Sequence, residues 1–182
     1  MKIFITGPPR SGKTTLIRRL LSFMNEHNIS YSGFFTPEIR KNGFRAGFQL
    51  VFLPSWRTVE LASIEKKPGY EMRHGKYWLN PAAGGEILSA LSSAIESSSV
   101  QVIVIDEIGP MELVYHKAEE AFLEAIISDK NLLSTFHISL KFRSPRLYAE
   151  IKEKGNIINL GEMEAEKAYS VASTQLSSLG RQ

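Results

Sequence analysis

Apolar residues recur along this chain at two periods, and the two take turns. Residues 2–6 form a short apolar run ending in Thr6-Gly7, with the length and β-branching of a buried strand. Between 13 and 27, Leu16, Ile17, Leu20, Leu21 and Met24 fall at helical spacing. Asn80-Pro81 offers an N-cap residue followed by proline at the first helical position, and Ile87, Leu88, Leu91, Ala94 and Ile95 form one face behind it. VQVIVI (100–105) is almost continuously apolar, as in a strand covered on both sides. Ala118, Ala121, Phe122, Ala125 and Ile126 mark the next helix. NLLSTFHI reads as a strand, PRLYAEIKEK as a helix, NIINL as a strand and 163–179 as a last helix. This alternation predicts an α/β fold, a mostly parallel central sheet between helix layers, in a single domain over 1–182.

The region 31–79 breaks the pattern, being rich in β-formers and turns without helical period. Asn42-Gly43 within it is a type I′ hairpin signal. An antiparallel hairpin insertion is therefore expected beside the parallel core.

Composition narrows the class. Apolar residues make up 43% and charged residues 23%, a globular balance, and the formal charge is +3. That mild excess suits an anionic ligand and does not indicate nucleic acid, since basic residues are clustered only at Lys66-Lys67 and Lys141 to Arg146. There is no cysteine, which excludes disulfides and thiolate metal sites and predicts a reducing compartment, the cytoplasm. The opening Ile3 to Ile5 stretch is short for a signal peptide, and no apolar run has the length of a membrane span.

The chemistry begins at GPPRSGKTT. Gly7, four residues, then Gly12-Lys13-Thr14 matches a phosphate-binding loop. Backbone N–H groups must converge on one phosphate chain there, and glycine permits the curvature and the close approach. The following helix turns its positive end toward the same anion. The expected nucleotide-binding residues are Gly7, Pro8, Pro9, Arg10, Ser11, Gly12, Lys13, Thr14 and Thr15. Lys13 bridges the β- and γ-phosphates, and the Thr14 hydroxyl ligates Mg²⁺. Arg10 either adds charge near the phosphates or points to solvent.

VIVIDEIGPMEL supplies the other half. An apolar strand ending in Asp106 places a carboxylate at the C-terminal edge of the sheet, where Asp106 holds Mg²⁺ together with Thr14. Glu107, facing the other way, is read as the general base that deprotonates an attacking water; the competing reading is an ion pair with a nearby Lys or Arg.

If Asn42-Gly43 is a two-residue turn, Arg40 faces Arg45, Ile39 faces Ala46 and Glu38 faces Gly47. Phe35, Ile39, Phe44, Ala46, Phe48 and Leu50 then share one side, and Thr36, Glu38, Arg40, Arg45 and Gln49 the other. Two arginines directly opposite repel unless an anion lies between them. Either that face borders the nucleotide, with Arg45 in a catalytic role, or Glu38 is the anion and the face is solvated. His137 at the end of LLSTFH is a γ-phosphate sensor or a structural histidine. It looks toward the γ-phosphate if its strand lies between the phosphate-loop strand and the Asp106 strand. Arg143 and Arg146 are arginine-finger candidates or surface charges.

GPPRSGKTTL, GFFTPEIRKNGFRAGF and DEIGPMEL, in that order, resemble the small P-loop nucleoside-triphosphatase family that includes thermophilic archaeal and bacterial enzymes and the human cancer-related nucleoside-triphosphatase. The resemblance covers most of residues 1–137. It implies a RecA-like core and slow, Mg²⁺-dependent hydrolysis of several nucleoside triphosphates. By position, Gly7, Gly12, Lys13 and Thr14 match the family's phosphate loop, and Asp106 with Glu107 its metal and base pair. Thr36, Glu38, Arg40 and Arg45 match its hairpin motif, and His137 falls where related chains tend to carry histidine. Arg10 replaces a usual glycine, and Asn159-Leu-Gly-Glu-Met departs from the family's Asn-Arg-Asp stretch.

The reading is a nucleoside-triphosphate phosphatase acting on ATP, GTP and related substrates. The alternatives are a nucleotide or polynucleotide kinase, with Lys141 to Arg146 as a lid, and a nucleotide-gated module that binds RNA or protein.

Overall fold

The computed structural model describes residues 1–180. In chain order the elements are β1 (Lys2–Thr6), α1 (Lys13–Glu26), β2 (Tyr31–Phe35), β3 (Glu38–Lys41), β4 (Phe44–Leu53), β5 (Thr58–Ser63), β6 (Arg73–His74), β7 (Tyr77–Leu79), α2 (Pro81–Glu96), β8 (Val102–Ile108), α3 (Ala118–Ile127), β9 (Asn131–Phe136), α4 (Leu140–Arg143), α5 (Pro145–Lys154), β10 (Asn156–Asn159) and α6 (Ala165–Leu176). One mixed sheet runs β10-β1-β9-β8-β2-β4-β5-β7-β6, with β3 paired to β4. The first five strands are parallel, and helices cover both faces.

Strand alternation builds the two halves of the core. Ile3, Ile5, Val102, Val104 and Leu133 face α1 and α6, meeting Ile17, Leu20, Met24 and Ala172. Phe4, Ile103, Ile105 and Leu132 face the opposite layer, meeting Ile87, Leu91, Phe122 and Ile151. All of these are fully or almost fully buried, and each large side chain so placed contributes about 1.5–3 kcal/mol. Because the central strands are covered on both sides, their sequences read as continuous apolar runs.

The expected punctuation is present. The Asn80 side chain accepts a hydrogen bond from the Ala82 N–H at 3.1 Å, and Pro81 opens α2. Asn42 and Gly43 both have positive φ, 50° and 80°, as a type I′ turn requires. Ser144 caps α5 ahead of Pro145, its hydroxyl accepting from the Leu147 N–H at 3.3 Å. The last helix is shorter than the 163–179 expected, ending at Leu176 with a 3₁₀ turn to Leu179.

Two features of the 31–79 region differ from the expectation. β2 belongs to the parallel core, pairing with β8 from Tyr31–Val102 to Phe35–Asp106, and only its other edge is antiparallel, to β4. Gly33 makes the first pairing possible: a Cβ there would lie 2.0 Å from the Val104 carbonyl oxygen. The second is a bulge in the β3–β4 hairpin. Arg40 faces Arg45 as expected, but Ile39 then faces Gly47 and Glu38 faces Phe48. The extra residue brings Phe48 to the same side as Glu38 and Arg45, correcting the two-sided assignment made from strict alternation. Gly47 is where the bulged strand presses on β5, since a Cβ would come within 2.1 Å of the Ala62 carbonyl oxygen.

Candidate active site

β1, β8 and β9 end side by side, with β9 between the other two, and a cleft of about 800 Å³ opens over their C-terminal edge. The loop after β1 forms one wall. Gly7 (φ 151°), Arg10 (φ 66°) and Gly12 (φ 93°) all lie at positive φ. The residue that departs from the expected glycine thus takes a glycine-favouring backbone conformation. Its side chain is exposed at the cleft wall, so it faces both solvent and the cleft. Pro9, Gly12, Lys13, Thr14 and Thr15 line the cleft as well. Gly7, Pro8 and Ser11 shape the loop from behind: a Cβ on Gly7 would sit 2.7 Å from Ser11 Oγ, and the Pro8 carbonyl accepts from the Ser11 N–H at 3.2 Å. Lys13 opens α1, where the first amides have no partner within the helix. Its ammonium donates to the carbonyls of Gly7 at 3.1 Å and Pro8 at 3.3 Å.

The acid pair lies across from this loop. Asp106 is only 2% exposed, and its two oxygens accept from Thr14 Oγ1 at 2.8 Å and Thr135 Oγ1 at 2.5 Å. Thr36 Oγ1 donates to its backbone carbonyl at 2.6 Å, tying β2 to the same point. Burial pushes the Asp106 carboxyl up from its ordinary value, against the two threonine bonds and the charges of Lys13 and Arg18. Glu107 faces the cleft with its Oε1 sealed from solvent and unbonded. Burial first, and the Asp106 charge second, raise its carboxyl to about 7, with Lys13 opposing. No Lys or Arg pairs with it among the described residues, so the ion-pair reading of Glu107 has no partner here.

The donor set fits Mg²⁺. It consists of hard oxygens, a buried carboxylate touching the hydroxyl at the start of α1, and it is small, as for an ion that keeps waters and takes phosphate oxygens. No cluster of three or more His, Cys, Asp or Glu suited to a protein-caged metal occurs among the described residues.

His137 follows β9 and lines the cleft. Its Nδ1 accepts from the Ser139 N–H at 3.1 Å and lies 2.7 Å from the Ser139 hydroxyl, so the ring proton of the neutral form is on Nε2. Burial, then Lys13, Arg143 and His74, lower its pKa and keep it neutral. Arg45 and Arg40 reach the cleft from the hairpin, both bonded to Glu38. Arg143 and Arg146 are exposed and do not line it, although the Arg143 charge acts on His137 and His74.

Several site residues have no distinctive sequence signal: Thr135, His74, Tyr77 and Phe48. Glu112 lies in DEIGPMEL and carries no expected role. It is 4% exposed, lines the cleft, and is pushed up to about 8 by burial and then by Glu107; the amides of Glu112 and Gly109 partly offset this. A folded-state value above the ordinary 4.5 means that this group's contribution to stability is full below about pH 4.5 and is lost as pH rises through 8. Glu112→Gln is therefore expected to melt close to the parent at pH 5 and above it at pH 8.5, by on the order of a few kcal/mol in unfolding free energy. Thermal melts across that range test this, and parallel pH curves for the two proteins would refute it.

A model of the NTPase family matches residues 2–170. The chain belongs to this family. Among NTPase-family relatives, the nucleoside-triphosphatase THEP1 of Methanothermobacter thermautotrophicus is 38% identical over 138 residues, 75% of this chain and 76% of that protein. The crystal structure of THEP1 from the hyperthermophile Aquifex aeolicus superposes over 100% of both chains, with a TM-score of 0.75 at 26% identity. The solution structure of a human cancer-related nucleoside triphosphatase covers 97% of each chain, with a TM-score of 0.77 at 28% identity. The mixed α/β architecture, a central sheet flanked by helices, is thus shared with NTPase-family structures.

Proposed function

We infer that this NTPase-family chain hydrolyses the β–γ bond of nucleoside triphosphates on a RecA-like P-loop core, with Mg²⁺ held by Thr14 and Asp106. The observation that carries this reading is the 2.8 Å contact between Thr14 and the buried Asp106, which joins the loop after β1 to the end of β8 at the base of the cleft that Thr14 and Glu107 line. A Mg²⁺ held by Thr14 and Asp106 would supply charge neutralisation to the bound phosphates.

The chain's own groups do the rest. Lys13, at the start of α1, has two loop carbonyls, those of Gly7 and Pro8, to leave when its ammonium turns to phosphate. The amides of residues 10–15 surround the same anion. Glu107, with a carboxyl near 7 and no ion-pair partner among the described residues, takes a proton from water at neutral pH as the water attacks the γ-phosphorus. Neutral His137 directs Nε2–H at the γ-phosphate without adding charge. Arg45 meets the charge that develops on the transferred group.

Incubation with γ-labelled ATP and, separately, GTP tests the reading. Free phosphate and nucleoside diphosphate in the absence of any acceptor are expected. Label that leaves the nucleotide only when an acceptor nucleotide or RNA end is added would identify a kinase.

A further inference from the structure

The hairpin wall of the cleft poses an electrostatic problem that the phosphate loop does not. Arg40 and Arg45 are directly opposite in register, and both line the cleft. Like charges so placed repel. A single carboxylate, Glu38, takes both: Arg40 Nη2 donates to Oε2 at 2.7 Å, and Arg45 Nη2 donates to Oε1. Two cations on one anion leave a surplus positive charge at the wall. Burial alone would raise the Glu38 carboxyl, but Arg45 and then Arg40 outweigh it and hold it below the usual range, so Glu38 is ionised at neutral pH.

Arg45 is also incompletely satisfied. Its Nε is sealed from solvent and has no acceptor among the described residues, although the Tyr77 phenol lies near the same guanidinium, whose carbon is 5.4 Å from the Phe48 ring centre, where the bulge delivers that ring. A buried donor without an acceptor is a standing cost that an incoming oxyanion removes. Glu38 lines the cleft beside Arg45, so an anion can meet the guanidinium without the hairpin opening.

We propose that Glu38 is a positioning residue that stores Arg45 at the cleft wall and releases it to the terminal phosphate of a bound nucleotide, so that the hairpin distinguishes triphosphate from diphosphate. The inference rests on the hydrolase reading above and adds to it the means by which the site recognises a third phosphate. The surplus charge of the two-arginine, one-carboxylate cluster matches the additional charge of the γ-phosphate. A diphosphate bound at the same loop has no group to draw Arg45 away.

Calorimetric titration of the full chain, with Mg²⁺, compares a β,γ-imido nucleoside triphosphate with the corresponding diphosphate. Arg45→Lys keeps the charge but loses the forked donor; it is expected to weaken triphosphate binding by roughly tenfold or more and to change diphosphate binding by less than about twofold. Glu38→Gln removes the competitor. It is expected to tighten the triphosphate several-fold, leave the diphosphate unchanged, and lower both KM and kcat, because a freed guanidinium binds but is poorly aimed. A purely structural ion pair would shift both nucleotides together. Equal shifts for the two nucleotides, or none, in both variants would overturn the proposal while leaving the hydrolase reading intact. Failure of the parent chain to bind either nucleotide would overturn both. Should Glu38→Gln melt below the assay temperature, Arg45→Lys reads the same ratio.

Discussion

Glu107→Gln is expected to keep nucleotide affinity and lose turnover by about 10²–10⁴-fold, the usual contribution of a positioned general base. The amide is isosteric with the acid and retains an acceptor, so the cleft keeps its shape. What it lacks is a site for the proton that leaves water as the γ-phosphorus is attacked. The raised carboxyl, near 7, sharpens the expectation, because a base this strong matches the working pH better than an ordinary carboxylate does. Calorimetry with a triphosphate and steady-state phosphate release check the two halves separately. A variant that hydrolyses at the parent rate would show that the water is activated elsewhere.

Lys13→Ala is expected to act at an earlier stage, lowering affinity for triphosphate and turnover together. The ammonium sits at the start of α1, donating to carbonyls of its own loop, and is half-buried. Its removal takes a full positive charge from beside a group of acids in which Asp106 raises Glu107 and both raise Glu112. The loss is a charge-assisted contact worth about 1.5–3 kcal/mol, roughly 10- to 150-fold in affinity. Undiminished affinity by calorimetry would contradict the phosphate-cradle reading.

Much of this arrangement was legible in the chain because local rules agreed with the fold. Central strands buried on both faces must be apolar throughout, so VQVIVI and KIFIT announce themselves, and the acid at the end of the former falls at the sheet edge. Gly7, Gly12, Asn42 and Gly43 occupy positive φ for the reasons their motifs imply. What escaped was whatever depends on a neighbour distant in sequence. β2 looks like any β-rich segment, and only its register with β8 puts it in the parallel core. The bulge beside Arg45 falls next to Gly47, whose close approach to Ala62 is a contact that periodicity cannot reveal, and it decides which side Phe48 takes. Thr135 is an ordinary polar residue within a strand until Asp106 lies against it. Glu112 stands in plain view in DEIGPMEL, but its burial follows from the turn that begins at Gly109.

The sheet's continuity from β1 through β2 to β4 has a kinetic meaning. Loop, acid pair and guanidinium wall all rise from one hydrogen-bonded platform in one polypeptide. If Arg45 is the cation that meets the terminal phosphate, as proposed above, it comes from the same chain as the loop. Phosphate release per chain should therefore stay constant on serial dilution, and a specific rate that fell with concentration would point to a group supplied in trans.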